Sequence, residues 1–280
     1  MQVDLHCHSH FSDGKHQASF LVKRALINHV THLALTDHDC IDVHTQQIDH
    51  MGLSIIKGVE ISSAWQNSEI HIVGLCINVQ DPGLKGLLEV QQEKRRQRVH
   101  EIDKNLSKSG IIGLQEYMSN LSAVTQTRSH IADFLVQKQY CSNRKKVFKQ
   151  YLNKNGKAYV KPEWSSIEET IRTISKAGGI AVLAHPSRYA MNRTNLTRLI
   201  TDFKKAGGSA IECTYPNIST DMQTLLLQAV MDNGLLISGG SDFHDASATW
   251  TDVGKFPSFP KASHELGVWR HSNWSESIET

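Results

Sequence analysis

Asp4, His6, His8 and Asp13 lie in the stretch Asp4-Leu5-His6-Cys7-His8-Ser9-His10-Phe11-Ser12-Asp13-Gly14 and are residue types that bind divalent metals. In a strand over residues 1–8, side chains alternate between faces, so Val3, Leu5 and Cys7 share one and Asp4, His6 and His8 the other. Two imidazoles at i and i+2 then converge on one point, as two ligands of one ion must. Ser12-Asp13-Gly14 makes a tight turn that returns a carboxylate to the same strand end. A lone His-x-His is more often a polar strand end with solvated histidines. The metal reading gains weight because the same residue types recur along the chain, as His38, Glu60, His71, His185, Asp242 and His244. Nitrogen and oxygen donors without thiolate suit Mn²⁺, Zn²⁺ or Fe²⁺. Such a centre activates water and neutralises charge on phosphoryl oxygens.

The elements that must position these groups alternate. An amphipathic helix over residues 17–30 follows the first strand, with Leu21, Val22, Ala25 and Leu26 on one side. A short strand over 32–36 runs into Asp37-His38-Asp39, and a helix is expected through about residue 50. Strands over 53–60 and 69–77 carry Glu60 at the end of one and His71 near the start of the other. Regular alternation resumes at Ser165, where overlapping Ser-x-x-Glu capping signatures open a helix that stops at Gly178-Gly179. A strand over 180–185 ends in His185-Pro186, a helix over 195–206 leads to a strand over 210–213, and the strand from 235 ends in Asp242-Phe243-His244. Strands that end in polar residues and alternate with helices predict a parallel α/β barrel with its site at the C-terminal strand ends.

Between these halves the alternation stops. Residues 83–108 predict one long charged helix with a sparse stripe of Leu84, Leu88, Val99, Ile102 and Leu106, and 128–137 and 143–152 predict two more. Residues 82–162 hold 16 Lys+Arg against 6 Asp+Glu, and the remainder 14 against 22. The basic segment suits a polyanionic substrate, although a basic helical face is most often only a solvated one. The expected organisation is a barrel over 1–81 and 163–270, a basic helical insertion over 82–162 and a polar tail over 271–280. At 280 residues, 39% hydrophobic and 21% charged, the chain is a soluble globular type, and no run of about 18 apolar residues suggests a membrane span. The motif begins so near Met1 that no signal peptide is expected before it. Five scattered cysteines without a Cys-x-x-Cys pair argue for a reducing, cytoplasmic compartment and against a thiolate zinc site.

Asp-Leu-His-Cys-His-Ser-His-Phe-Ser-Asp-Gly, Thr-Asp-His-Asp, Gly-Val-Glu-Ile-Ser, His-Ile-Val-Gly, Leu-Ala-His-Pro and Gly-Ser-Asp-Phe-His occur in that order. In these motifs the sequence resembles the PHP (polymerase and histidinol phosphatase) family over nearly its whole length. Within that family it resembles the RNase AM, or 3′,5′-nucleoside bisphosphate phosphatase, type. That similarity rests on Glu69–Leu75, Thr127-Arg128-Ser129-His130, Phe148–Leu152 and His185-Pro186-Ser187-Arg188-Tyr189.

The resemblance implies a distorted (β/α)7 barrel holding three divalent cations, manganese first and zinc or iron as alternatives. His6, His8, Glu60 and Asp242 would hold one ion. Glu60 would bridge to a second with His71 and His185, and Asp13, His38 and His244 would hold a third. Glu60, His71, His185 and Asp242 would position the attacking hydroxide for in-line hydrolysis without a covalent intermediate. Cys7, where relatives often have Ser, points away from the ligands and is read as packing; Ser187 stands where the near relative has Gly. Arg128, His130 and Arg188 are candidates for gripping a phosphate that is not cleaved; ion pairs between insertion and barrel are the alternative role. Trp65, Tyr159, Trp164 and Tyr189 are available for base stacking, though aromatics are more often core. Asp37 and Asp39 flank a ligand and either orient it from behind or simply make the turn.

The implied activity is hydrolysis of the 3′ phosphoester of a 5′-phosphorylated nucleotide or short RNA, with 5′→3′ exoribonuclease action in RNA processing, and no membrane or obligate protein partner. Rival readings are a histidinol-phosphate phosphatase and a non-catalytic PHP module that binds nucleic acid.

Overall fold

The computed structural model describes residues 1–261 and 263–274. Seven strands follow one another around a sheet: β1 (Val3–Asp4), β2 (His32–Leu35), β3 (Ser54–Trp65), β4 (Ser68–Leu75), then, after a two-residue β5 (Ser165–Ser166) that pairs off this path with β3, β6 (Ile180–Leu183), β7 (Ala210–Thr214) and β8 (Leu236–Gly239). The two edges meet. Leu5 N donates to Gly239 O (3.2 Å), His8 N to Phe243 O (2.9 Å) and Asp242 N to His6 O (2.8 Å), so the sheet closes almost fully into a barrel. Val3, Ala34, Ile56, Val73, Val182 and Ala210, from six of the strands, meet in one buried cluster, the barrel interior.

The barrel is not wholly parallel. β4 runs antiparallel to both β3 and β6, whereas the other neighbours in the path are parallel. The cause is local: only Gln66 and Asn67 separate β3 from β4, and Gln66 has φ +53°. Two residues can turn a hairpin, whereas a parallel return needs a crossover of a dozen or more. The reversal explains why His71 lies near the start of its strand yet joins ligands placed after other strands. β1 is also shorter than expected: beyond Asp4 the backbone bonds to Gly239 and the segment after β8, and on the β2 side it pairs only at Cys7, whose carbonyl accepts Thr36 N (3.0 Å). The helix expected up to residue 50 is only a 3₁₀ turn, Asp42–Thr45. There His44 Nε2 takes the Gly58 amide (3.1 Å), tying the loop to β3 by a side chain in place of helical bonds.

Outside the barrel, α1 (Ala18–Ile27) packs Leu21, Val22 and Ala25 under the first strands. The long insertion follows β4: α2 (Pro82–Ser107), α3 (Leu114–Ser119), α4 (Arg128–Gln137) and α5 (Arg144–Val147), which continues as a π-helical turn, Phe148–Leu152. The outer layer is completed by α6 (Ile167–Lys176), capped by Ser166 on Glu169 N (3.2 Å), with α7 (Arg193–Lys205) and α8 (Thr220–Asn233). α2 serves two cores. Leu84, Leu87 and Leu88 belong to the barrel's outer cluster, while Val99, Ile102 and Leu106 join Ile131, Phe134 and Leu135 in a separate one. Of the segment expected as a polar tail, Trp274 packs against the barrel-interior cluster, and residues 275–280 lie outside the described residues.

Candidate active site

The loops at one end of the barrel bring all nine candidate ligands together. His6 and His8 follow β1, Asp13 lies in the turn beyond, and His38 follows β2 and bridges to Glu60 on β3. His71 enters from the reversed β4, His185 follows β6, and Asp242 and His244 follow β8. Tight backbone supports this end. A Cβ on Gly240 would lie 2.5 Å from His6 N, and one on Gly14 would lie 2.2 Å from His8 O, so glycine is required at both. Asp39, His185 and Asp242 have φ of +46°, +28° and +47°. Left-handed backbone at non-glycine residues costs of order 1–3 kcal/mol each and persists where the surroundings fix it.

Glu60 sits at the centre, fully buried. Its Oε1 lies 2.9 Å from His71 Nδ1 and 3.0 Å from His185 Nε2. Its Oε2 lies 2.9 Å from His38 Nδ1, 3.3 Å from His8 Nε2 and 3.4 Å from His6 Nε2. One carboxylate thus faces two sets of imidazoles. His6 Nε2 and His8 Nε2 are 3.1 Å apart, and Asp242 Oδ1 is 3.5 and 3.2 Å from them. Around Asp13 Oδ1 stand His244 Nε2 at 3.2 Å and His38 Nε2 at 3.8 Å. Three overlapping groups have ligand atoms mutually within 4.8 Å: His6, His8 and Glu60; His38, Glu60 and His71; and His8, Asp13, His38 and His244.

The donor set fits divalent cations. Ligands bonded at about 2.0–2.1 Å to one ion stand roughly 3.0–3.4 Å from each other, which is the spacing of the His6, His8 and Glu60 atoms. Glu60 Oε2, Asp13 Oδ1, His38 Nδ1 and His185 Nδ1 are buried without a partner in hydrogen-bond geometry. The 2.9 Å contact between His38 Nδ1 and Glu60 Oε2 is close, yet it lacks that geometry. Buried donors and acceptors left close but unaligned in this way suit a site that holds cations.

Burial opposes charge on His8 and His71, but Asp242 and Glu60 outweigh it for His8 and Glu60 and Glu69 for His71, and their pKa values are pushed up to about 10 and about 9. Burial would raise Glu60, but His38, His6 and His71 hold it well below the usual carboxylate range, and Asp13 and Asp242 are held low in the same sense. His38 and His185 go the other way, burial keeping them below their ordinary value.

Beside the candidate ligands opens a cavity lined by Asp13, His38 and His71 together with Arg98, Arg128, Phe148 and Trp164. Arg128 Nη2 is 3.3 Å from Glu69 Oε2, and Arg98 Nη1 is 3.7 Å from Glu69 Oε1. Two guanidiniums therefore share one carboxylate. Arg188 pairs with Asp242 and lies 5.4 Å over the Tyr215 ring. His130 is buried, and its Nδ1 accepts Thr127 N (3.2 Å) in the capping box that opens α4. Of the four aromatics singled out in the sequence, Trp164 lines the cavity, with the Arg95 and Arg98 guanidiniums 5.0 and 5.5 Å from its ring. Trp65 bonds Asp202 (3.0 Å), and the Tyr189 hydroxyl donates to Ala184 O (2.7 Å) and accepts from His71 N (2.9 Å).

Several residues of this end were missed in the sequence. Glu212, buried on β7, places Oε1 2.7 Å from His6 Nδ1 and accepts His185 N on Oε2 (2.6 Å), so it aims two ligands at once. Its signal was a carboxylate inside the apolar run Ala210-Ile-Glu-Cys213. Thr127 Oγ1 donates to Asp13 Oδ2 (3.1 Å), and Glu69 balances the arginines. Asp37 accepts from Ser9 N (2.8 Å) and Ser12 Oγ (2.5 Å), and Ser12 Oγ is 3.4 Å from His8 Nδ1, so it braces the ligand loop through serine. The Asp39 carboxylate pairs with Arg95 of α2 (2.6 Å) and accepts Ser62 N (2.9 Å), while its backbone amide donates to Glu60 O (2.8 Å). Cys7 faces away, its thiol donating to Ala34 O (3.3 Å).

A nearly closed seven-strand barrel with imidazoles and carboxylates gathered at one end defines a class of metal-site proteins. The chain belongs to the PHP domain family, whose model matches residues 4–162. It is 39% identical, over 95% of its length and 92% of the relative's, to the 5′-3′ exoribonuclease Rnm of Escherichia coli. It is 36% identical to the 3′,5′-nucleoside bisphosphate phosphatase of Chromobacterium violaceum, over 96% of this chain and 95% of that one. Among solved structures, an amidohydrolase from Chromobacterium violaceum with bound sulfate and no metal superposes with a TM-score of 0.89 at 34% identity, covering 96% of this chain and 95% of that one.

Proposed function

We propose that this protein is a metal-dependent phosphoesterase that cuts the 3′ phosphoester of 5′-phosphorylated nucleotides. Nucleoside 3′,5′-bisphosphate loses its 3′-phosphate, and 5′-monophosphorylated RNA is shortened one nucleotide at a time from the 5′ end. In both, water adds to phosphorus and the bond from phosphorus to O3′ breaks. With RNA the shortened chain keeps the phosphate as its new 5′-phosphate, so one site serves repeated rounds. The names of the two relatives support this reading.

The observation that carries it is the pairing of two subsites in one cavity. Asp13, His38 and His71 line it together with Arg98 and Arg128, whose charges share Glu69, and Glu60, itself buried, lies 2.9 Å from both His38 and His71. An anchored 5′-phosphate at the arginines would leave the adjacent 3′-phosphoester at the ligands. His6, His8, Glu60 and Asp242, then Glu60, His71 and His185, then Asp13, His38 and His244 are assigned as three ligand sets, with manganese the first choice and zinc or iron as alternatives. When bound, the cations supply an activated water and neutralise charge on the phosphoryl oxygens and on the departing O3′. Glu212 holds His6 and the backbone of His185 in place. Thr127 fixes Asp13, and Arg188 fixes Asp242 and is assigned the second contact to phosphate oxygen. The scattered cysteines, none in a Cys-x-x-Cys pair, support a reducing cytoplasmic setting.

The test is to assay the purified protein with Mn²⁺ on adenosine 3′,5′-bisphosphate, a 5′-phosphorylated oligoribonucleotide and histidinol phosphate. Turnover of the first two and not the third is expected. Preference for histidinol phosphate, or no turnover of any, would overturn the assignment.

A further inference from the structure

We propose that the outer face of the insertion, from Arg144 to Lys149 and onward, is the track along which the uncut part of an RNA substrate lies. This rests on the phosphoesterase reading of the cavity and names the surface that turns a nucleotide site into an RNA site. Between Asp133 and Glu163 the sequence holds eight Lys+Arg and no Asp or Glu. All eight are exposed. Lys145, Lys146 and Lys149 have no ion-pair partner among the described residues, whereas exposed pairs elsewhere on the insertion, such as Arg96 with Glu93 (2.8 Å) and Lys104 with Glu101 (2.7 Å), are locally neutralised. Over this run one sign of charge is absent altogether.

Its position is the second observation. Phe148, in the middle of this basic run, lines the catalytic cavity, with the Arg128 guanidinium 5.9 Å over its ring. Arg144 grips Asp133 with Nε (2.5 Å) and Nη2 (2.6 Å), and Lys15 pairs with the same carboxylate. Lys15 in turn gives its backbone amide to His244 O (2.7 Å). The basic face is therefore continuous with the rim of the ligand cluster. The first nucleotide of an RNA is held inside the cavity, so the chain beyond the scissile phosphate must leave over a rim. Backbone phosphates favour the cationic side, where releasing counterions adds affinity without regard to sequence. Tyr140, 40% exposed on the same segment, offers a ring for stacking an unpaired base.

The experiment uses the triple variant Lys145→Glu, Lys146→Glu, Lys149→Glu, whose side chains all lie in solvent. Two substrates are compared with Mn²⁺: adenosine 3′,5′-bisphosphate, too short to reach the face, and a 5′-phosphorylated 20-nucleotide RNA. Expected are an unchanged kcat/KM on the bisphosphate and a loss of roughly tenfold or more on the RNA, carried mainly by KM. Binding of a 5′-hydroxyl RNA of the same sequence, read by fluorescence anisotropy, should weaken in parallel, and its salt dependence should lose a slope of about 2. The binding measurement needs no turnover, so it separates failure of this surface from failure of the phosphoesterase reading. Unchanged RNA binding in the triple variant, or equal losses on both substrates, would overturn the proposal.

Discussion

Arg128 and Glu212 do their work at the scale of single side chains. Arg128 touches no ligand; its charge is shared with Arg98 against Glu69. Charge-assisted phosphate contacts contribute about 1.5–3 kcal/mol, so Arg128→Ala should lower kcat/KM on 5′-phosphorylated substrates by roughly 10- to 150-fold. Hydrolysis of p-nitrophenyl phosphate, which has no second phosphate, should hold; equal loss on both would remove the clamp. Glu212 acts through His6, whose Nδ1 it takes at 2.7 Å. Partners behind a metal ligand are worth about 10- to 100-fold in metal affinity. Competition with a fluorescent chelator should show weaker metal binding in Glu212→Ala, and less weakening in Glu212→Gln, which keeps an acceptor. Identical affinities in all three proteins would show that Glu212 only fills space.

At the scale of elements, two glycines predict opposite outcomes. Gly240 lets the segment after β8 lie directly on His6, where a Cβ would meet backbone at 2.5 Å. Gly240→Ala must push those segments apart and should destabilise by about 1–3 kcal/mol, with metal content falling alongside Tm. Gly86, inside α2 with nothing within 4 Å of a built Cβ, should gain stability as alanine, by about 0.5–1 kcal/mol. If calorimetry finds the two changes alike, the close approach at His6 is not what holds the barrel edge. α2 also shows why its role was only half legible. Its apolar stripe looks sparse between Leu88 and Val99, but the helical period continues through Gln91 and Arg95. These are buried polar residues bonded to Ser62, Ser165 and Asp39 across the barrel mouth. A gap in a hydrophobic stripe can be a face turned to a site, and hydrophobicity alone reads it as exposure.

The whole molecule carries buried anions that need cations. Divalent metal at a hundred times its dissociation constant should stabilise the fold by about 2.7 kcal/mol, a rise in Tm of roughly 5–10 °C. The pH dependence has a definite sign. His8 and His71, raised to about 10 and about 9, stabilise the metal-free fold fully below their ordinary value near 6.5, and that contribution is lost as pH rises through the raised values. Metal instead requires neutral imidazole. Thermal scans with EDTA should therefore show Tm falling from pH 7 to 10, while the increment from added Mn²⁺ grows over the same range. An increment larger at pH 6 than at pH 9 would contradict this electrostatic account. Among the described residues no helix is long and apolar enough to cross a membrane.

The nine candidate ligands were legible in the sequence as residue types, because imidazole and carboxylate recur at strand ends, with period two between His6 and His8 and again between Asp242 and His244. The helix with clear capping signatures and a glycine stop, α6, was legible for the same local reason. Which groups meet was not. β4 runs backwards because its hairpin has only two residues, and that reversal alone carries His71 to the ligand end. Glu212 reaches His6 across 206 positions, and Glu69 holds arginines from two different helices. Contacts of that range depend on how the barrel closes, which is a property of the packed sheet and not of any stretch of chain.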